Sequence, residues 1–154
     1  MKALFFILLL SLSLFGSQKE EVLLKSISEY AIRIGTGNVS REYVFLDPLC
    51  PHSKKYITMI CEDEELQEEN SYFVFLYRLP KFDSDALIEY IYQAKDKRSA
   101  LTQIMIDKKN MDEELFDFEV TKKTLNLVNK IALVAKKLKV DRRPQMFTFY
   151  DLNP

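Results

Sequence analysis

Residues 45–56 read FLDPLCPHSKKY. A run of strand-forming residues, Tyr43, Val44, Phe45 and Leu46, stops at Asp47-Pro48, and a cysteine follows just beyond it. Pro51 suits the first position of a helix, where its missing N–H costs nothing. Residues 52–61 continue with Lys54, Tyr56, Ile57, Met59 and Ile60, a helix-compatible run. Cys50 therefore stands at a strand-to-helix junction, where unpaired N–H groups and the helix dipole favour a thiolate. His52, the single histidine, adds positive charge beside the sulfur when protonated, and Lys54 and Lys55 act in the same direction. The stretch is one residue short of a two-cysteine redox motif, because position 53 holds Ser53, which cannot form a disulfide. The competing reading makes Cys50 a small buried hydrophobe and His52 a surface residue without a task.

The flanking segments place this junction in an α/β chain. SYFVFLYRLP, 71–80, is the clearest strand, its continuous aromatic and aliphatic residues typical of a strand covered on both faces. FDSDALIEYIYQAKDKRSALTQIMID, 82–107, is helical material that Asp83 or Ser84 can cap, with Ala86, Leu87, Tyr90, Ile91 and Ala94 at helical spacing. KKNMDEELFDFE, 108–119, interrupts it. A further helix follows over 120–140, with Leu125, Val128, Ile131, Ala132, Ala135 and Leu138 marking its apolar side. The last strand, 142–154, is introduced by Pro144. Upstream, KEEVLLKSISEYAIR, 19–33, suits an amphipathic helix or lead-in through Val22, Leu23, Ile27 and Ile32, and GTGN at 35–38 breaks it. The acidic run EDEELQEEN, 62–70, ends the helix after Cys50 as a solvated surface. Strand, helix, strand, helices, strand is the order of a domain with helices over a sheet.

The 154 residues have room for one such core. Lys2 leads into an apolar run from Ala3 to Leu10 and on through Leu12, Leu14 and Phe15 to Gly16-Ser17. That describes an export signal over 1–17, or an inner-membrane anchor if it is retained, with a buried first strand as the bland alternative. Lys and Arg number 22 against 23 Asp and Glu, a balance that gives no case for nucleic acid. Export would carry Cys50 and Cys61 into an oxidising compartment. Eleven residues along one helix separate them by about 16 Å, whereas a disulfide needs α-carbons within about 7 Å. Both are expected as free thiols. Cys61, beside Ile60 and the acidic run, reads as structural. Metal binding by Cys50, His52 and Cys61 would offer too few ligands for a closed site.

YVFLDPLCPHSKKY, 43–56, resembles the active-site strand and helix of the periplasmic disulfide isomerases of the DsbC and DsbG type, a branch of the thioredoxin fold. The likeness extends to IRIGTGN, 32–38, and to YRLPKFDSDALIEYIYQAKDKRSAL, 77–101, and covers roughly residues 31–150. It implies a thioredoxin-like fold with a helical insertion over 39–154, behind a helical lead-in over 18–38. It also implies a cis Pro144 opposite Cys50, with the backbone at Arg143 pairing with a bound peptide. On composition alone an X-Pro bond would be taken as trans. The residue before that proline is usually small or β-branched in the family, so Arg143 either reaches solvent or sits near Cys50. The resemblance starts beyond the family's dimerisation domain and stops short of a final strand and helix. It thus implies an uncovered region of sheet, unless another chain or residues 19–33 cover it.

Transferred to this chain, the site comprises Cys50 and His52 as catalytic residues, Pro51 and Ser53 completing the motif, and Arg143 and Pro144 as substrate-binding residues, with no metal and no cofactor. The family's resolving cysteine falls on Ser53, which excludes a dithiol cycle. The expected function is thiol-disulfide exchange by one thiol, through mixed disulfides with exported, cysteine-containing client proteins in the periplasm. An external thiol would serve as reductant. The alternative is a noncatalytic peptide-binding or chaperone module. The oligomeric state is not specified by these residues.

Overall fold

The computed structural model describes residues 18–107, 111, 115 and 117–150. The segment read as an export signal, 1–17, and most of the polar interruption at 108–119 lie outside them. A helix over residues 18–25 (α1) and a 3-10 turn, Ser28–Tyr30, lead into β1, Ile32–Ile34, and β2, Ser40–Leu46. Then follow α2, Pro51–Glu62; α3, Glu64–Glu69; β3, Asn70–Leu76; α4, Asp85–Gln93; α5, Lys97–Met105; α6, Lys122–Lys137; and β4, Gln145–Tyr150. The strands lie in the order β1-β3-β2-β4, with the central pair parallel and both outer pairs antiparallel. The parallel pair needs a helical crossover, which α2 and α3 supply.

Side chains alternate across a strand, so β2 and β3 each offer two faces. Val44, Leu46, Val74 and Leu76 fill one, and Tyr43, Phe45, Phe73 and Phe75 the other, all buried. The second face is an aromatic layer. Tyr43 stacks on Phe73 with ring centroids 4.6 Å apart, and Phe147 and Phe149 of β4 meet Phe45 and Tyr43 edge-on at 6.2 and 5.7 Å. Each such pair adds about 0.5–1.5 kcal/mol beyond its burial. Both faces are covered, as the unbroken apolar run at 72–76 leads one to expect.

Three differences from the sequence reading have physical causes. The lead-in is not wholly helical: Ile32 and Ile34 pair with β3 as an edge strand, buried at 3% and 0%, while Arg33 between them lies 3.7 Å over the Phe73 ring. Three residues are too short a window for a period of two to show. The helical stretch 82–107 divides at Ala94, where the backbone turns extended, and Asp96 caps α5 by accepting the Ser99 N–H at 2.9 Å. The buried faces are also rotated from those read: α4 buries Ile88, Ile91 and Tyr92, and α6 buries Thr124, Ile131, Val134 and Ala135, leaving Leu125 exposed. Thr124 takes an inward place because its hydroxyl is bonded to Thr121 and Gln93.

The GTGN break has a specific task. Gly35 has a positive φ of 72°, and a side chain at Gly37 would overlap the backbone of Glu69 and Asn70. The Thr36 and Gly37 N–H groups both bond the Gln67 carbonyl, at 2.9 and 3.3 Å. This ties the β1–β2 connection to the end of α3 and so sets the β2 register.

β4 is half-covered. Gln145, Phe147 and Phe149 face the aromatic layer, while Met146, Thr148 and Tyr150 alternate with them into solvent. The uncovered sheet region implied by the resemblance is thus present on β4. Among the described residues nothing covers Met146, Thr148 and Tyr150: β1 forms the opposite edge of the sheet, and α1 meets β2 through the Glu21–Arg41 ion pair at 3.2 Å, on the face of Phe149. On the face of Thr148, Glu42 stands half-buried between Tyr72 and Thr148 in the register. Burial pushes its carboxyl above the ordinary range, and the Ser40 hydroxyl opposes this. A raised acid makes stability fall as pH climbs through the raised value, and the deficit persists above it. Glu42→Gln is therefore expected to stabilise the fold at about pH 7 and to lose that advantage below about pH 4, read by urea unfolding at both values.

Candidate functional site

The β2–β4 register pairs Phe45 with Gln145, so the chain leaving β2 and the chain entering β4 meet just beyond this pair. Asp47 to Leu49 turn tightly, the Cys50 N–H bonding the Asp47 carbonyl at 3.0 Å. Cys50 is the N-cap of α2, with extended backbone (φ −75°, ψ 121°), and Pro51 occupies the first helical position. Its carbonyl accepts the Lys54 N–H at 3.0 Å, while its side chain makes no capping bond. The sulfur points across to β4's entry, where Sγ–H meets the Arg143 carbonyl at 3.8 Å. The Arg143–Pro144 bond is cis. Cys50 is 2% exposed and His52 is exposed.

Ser53 is fully buried, and its hydroxyl oxygen accepts the Asp47 N–H at 3.1 Å. It thus has a local structural use, holding the turn that presents Cys50. The Asp47 carboxylate is also fully buried, and it organises the site. Oδ1 accepts the Leu49 N–H at 2.8 Å; Oδ2 accepts the Leu79 N–H at 2.5 Å and the Ser84 hydroxyl at 3.1 Å. One side chain thereby joins the turn before Cys50 to the segment after β3 and to the start of α4. Ser84, read as a helix cap, stands at the N-cap position but spends its hydroxyl on Asp47.

Arg143 does not reach solvent. It is 6% exposed, its Nε donates to the Tyr77 carbonyl at 2.7 Å, and its Nη1 and Nη2 donate to the carbonyls of Arg142 and Arg78 at 2.7 and 3.2 Å. The guanidinium lies 4.3 Å over the Tyr77 ring. Burial lowers its pKa from the ordinary value, opposed by Tyr77, Asp47 and Cys50. The arginine therefore locks the proline loop onto the end of β3, and it holds the carbonyl that faces Cys50. A groove of about 400 Å³ opens beside the sulfur, lined by Cys50 and His52 from the helix start, Leu79 to Lys81, and Asp141 to Arg143.

Of the residues read from sequence, Cys50, His52 and Arg143 come together on this groove, Pro51 and Ser53 shape its helix, and Pro144 follows its far wall. Asp47, Tyr77 and the Leu79–Lys81 segment were missed as site residues. Asp47 was legible only as a strand terminator, although an acid three residues before a helix-start cysteine is a usable signal. Cys61 is distant in role: both cysteines are free, and burial pushes the Cys61 thiol up, with Arg98 opposing. Among the described residues no group of three or more His, Cys, Asp or Glu could hold a metal ion, and no helix is long and apolar enough to cross a membrane.

A helix-start cysteine facing a cis-proline loop, on a sheet whose central parallel strands flank a helical crossover, defines a thioredoxin-like fold. Among solved structures the chain is similar to a disulfide interchange protein from Neisseria gonorrhoeae, with 18% identity and a TM-score of 0.60 over 82% of this chain and 90% of that one. It is also similar to the catalytic domain of Proteus mirabilis ScsC, at 18% identity and TM-score 0.60 over 77% of each chain. Helicobacter pylori DsbG matches at 18% identity and TM-score 0.61 over 89% of this chain and 65% of its own. No family model and no curated protein sequence matches the chain.

Proposed function

We propose that the protein is an exported, periplasmic thiol-disulfide exchange protein that works through the single thiol of Cys50. The observation that carries this reading is Cys50 at the start of α2 with its sulfur aimed at the carbonyl before a cis proline. That is where a client disulfide could lie between the thiol and an extended backbone. The disulfide-interchange character of the similar structures supports it. The Cys50 thiolate attacks one client sulfur, the client S–S bond breaks, and the other client sulfur leaves as a thiolate. A second client thiolate then attacks the mixed disulfide at the client sulfur and releases Cys50. Electrons balance within the client, so isomerisation needs no resolving cysteine, whereas net reduction consumes an external thiol.

Acid quenching of the reduced protein after brief exposure to disulfide-containing exported polypeptides should trap adducts, and peptide mapping should place them on Cys50. Adducts confined to Cys61, or none, would overturn the proposal. A noncatalytic peptide-binding role draws on one observation, the 2% exposure of Cys50, and the same trapping separates the two. Ser53→Cys tests the geometry independently. Residues three apart at a helix start lie within disulfide reach, so under oxidising conditions the variant should lose both of those thiols to a Cys50–position 53 bridge. Persistent alkylation of Cys50 after oxidation would count against the site as drawn.

A further inference from the structure

We propose that the groove beside Cys50 selects client cysteines flanked by carboxylate side chains; this rests on the exchange reading above and names its substrate class. The whole chain is close to neutral, with 22 Lys and Arg against 23 Asp and Glu. The groove is not. His52, Lys81, Arg142 and Arg143 line it against a single acid, Asp141. Arg143 has its donors committed to three carbonyls, so its contribution is charge alone.

Lys81 and Arg142 are exposed, and neither forms an ion pair among the described residues. The other acids nearby do not line the groove. Asp83 and Asp85 lie 3.6 and 2.6 Å from the Arg78 guanidinium, and Asp47 is buried under its hydrogen bonds. Two exposed cations, Lys81 also lying 5.0 Å over the Phe82 ring, and a histidine therefore rim a concave site that Cys50 lines. Clefts lined by one sign of charge concentrate the field and accelerate encounter with the opposite sign.

The chemistry makes this selection more than steering. Carboxylates beside a client disulfide ordinarily slow its attack by a thiolate, because like charges approach in the transition state. A cationic rim offsets that repulsion at the moment the Cys50–client bond forms and the client S–S bond breaks. The carboxylates exchange no proton or electron; they hold the client sulfur over Cys50.

The test uses three synthetic peptides, each with one cysteine joined as a mixed disulfide to the same small neutral thiol and flanked by Asp, Ser or Lys. The rate of release by the reduced full chain is divided by the rate with 2-mercaptoethanol, which removes each peptide's intrinsic reactivity. The Asp peptide is expected to exceed the Lys peptide by about tenfold at low salt, a ratio that shrinks toward one at about 1 M salt. The double variant Lys81→Glu, Arg142→Glu should invert the order, and Lys81→Gln alone should narrow it. Equal normalised rates for the Asp and Lys peptides, or an order untouched by these variants, would overturn the inference and leave the exchange reading standing. No release from the Ser peptide by the unmodified protein would overturn both.

Discussion

Replacing Asp47 by alanine is expected to lower the unfolding free energy by about 3–5 kcal/mol. The carboxylate accepts from Leu49, Leu79 and Ser84 in a fully buried setting, and removing it leaves three donors without an acceptor. Each buried polar group so orphaned costs about 1–3 kcal/mol, less what water entering the gap restores. The substitution also removes a negative charge near the buried Arg143 guanidinium. Asp47→Asn should cost less, because it keeps one acceptor oxygen, yet its amide must face a donor from either Leu49 or Leu79. Chemical denaturation monitored by circular dichroism checks the series. A loss below about 1 kcal/mol for the alanine variant would show that the network contributes little.

The second large effect is on chemistry. Cys50→Ser should abolish mixed-disulfide formation, since a hydroxyl neither attacks a disulfide nor forms one, whereas Cys61→Ser should leave it intact. Stability should move the other way. Cys50 occupies an N-cap position without making a capping bond, and serine is among the best N-cap residues, so the variant should hold or gain about 0.5–1 kcal/mol. An inactive protein that is as stable as the parent, or more so, is the signature of a residue kept for reactivity at the expense of the helix. Retained exchange in Cys50→Ser, or a marked loss of stability, would point to a packing role for the cysteine.

What could be read beforehand depended on how local each signal was. β2, β3 and the helix start at Pro51 follow from neighbours in sequence, through strand propensity, Asp47-Pro48 and the proline's preference for the first helical turn. Pro144's cis geometry is invisible to composition and came only from the resemblance to a known family. Ile32–Ile34 was hidden because a three-residue edge strand is stabilised by β3 and not by its own pattern. Long-range bonds account for the remainder. The Asp47–Leu79 and Arg143–Tyr77 contacts span 32 and 66 residues, and no window of periodicity reports them. Thus the place of Cys50 at the helix start was legible, while the residues that hold it were not.

The near-complete burial of Cys50 carries a consequence for the lifetime of the protein. A lone thiol with no second cysteine one turn away has no quick internal route back from sulfenic acid, and further oxidation to sulfinic or sulfonic acid would be permanent. The burial of Cys50, 2% exposed as a residue with its sulfur facing the Arg143 carbonyl, restricts the approach of small oxidants. If Cys50 exchanges with clients as proposed, the geometry that slows its entry into the reaction also protects the sulfur from being consumed between turnovers.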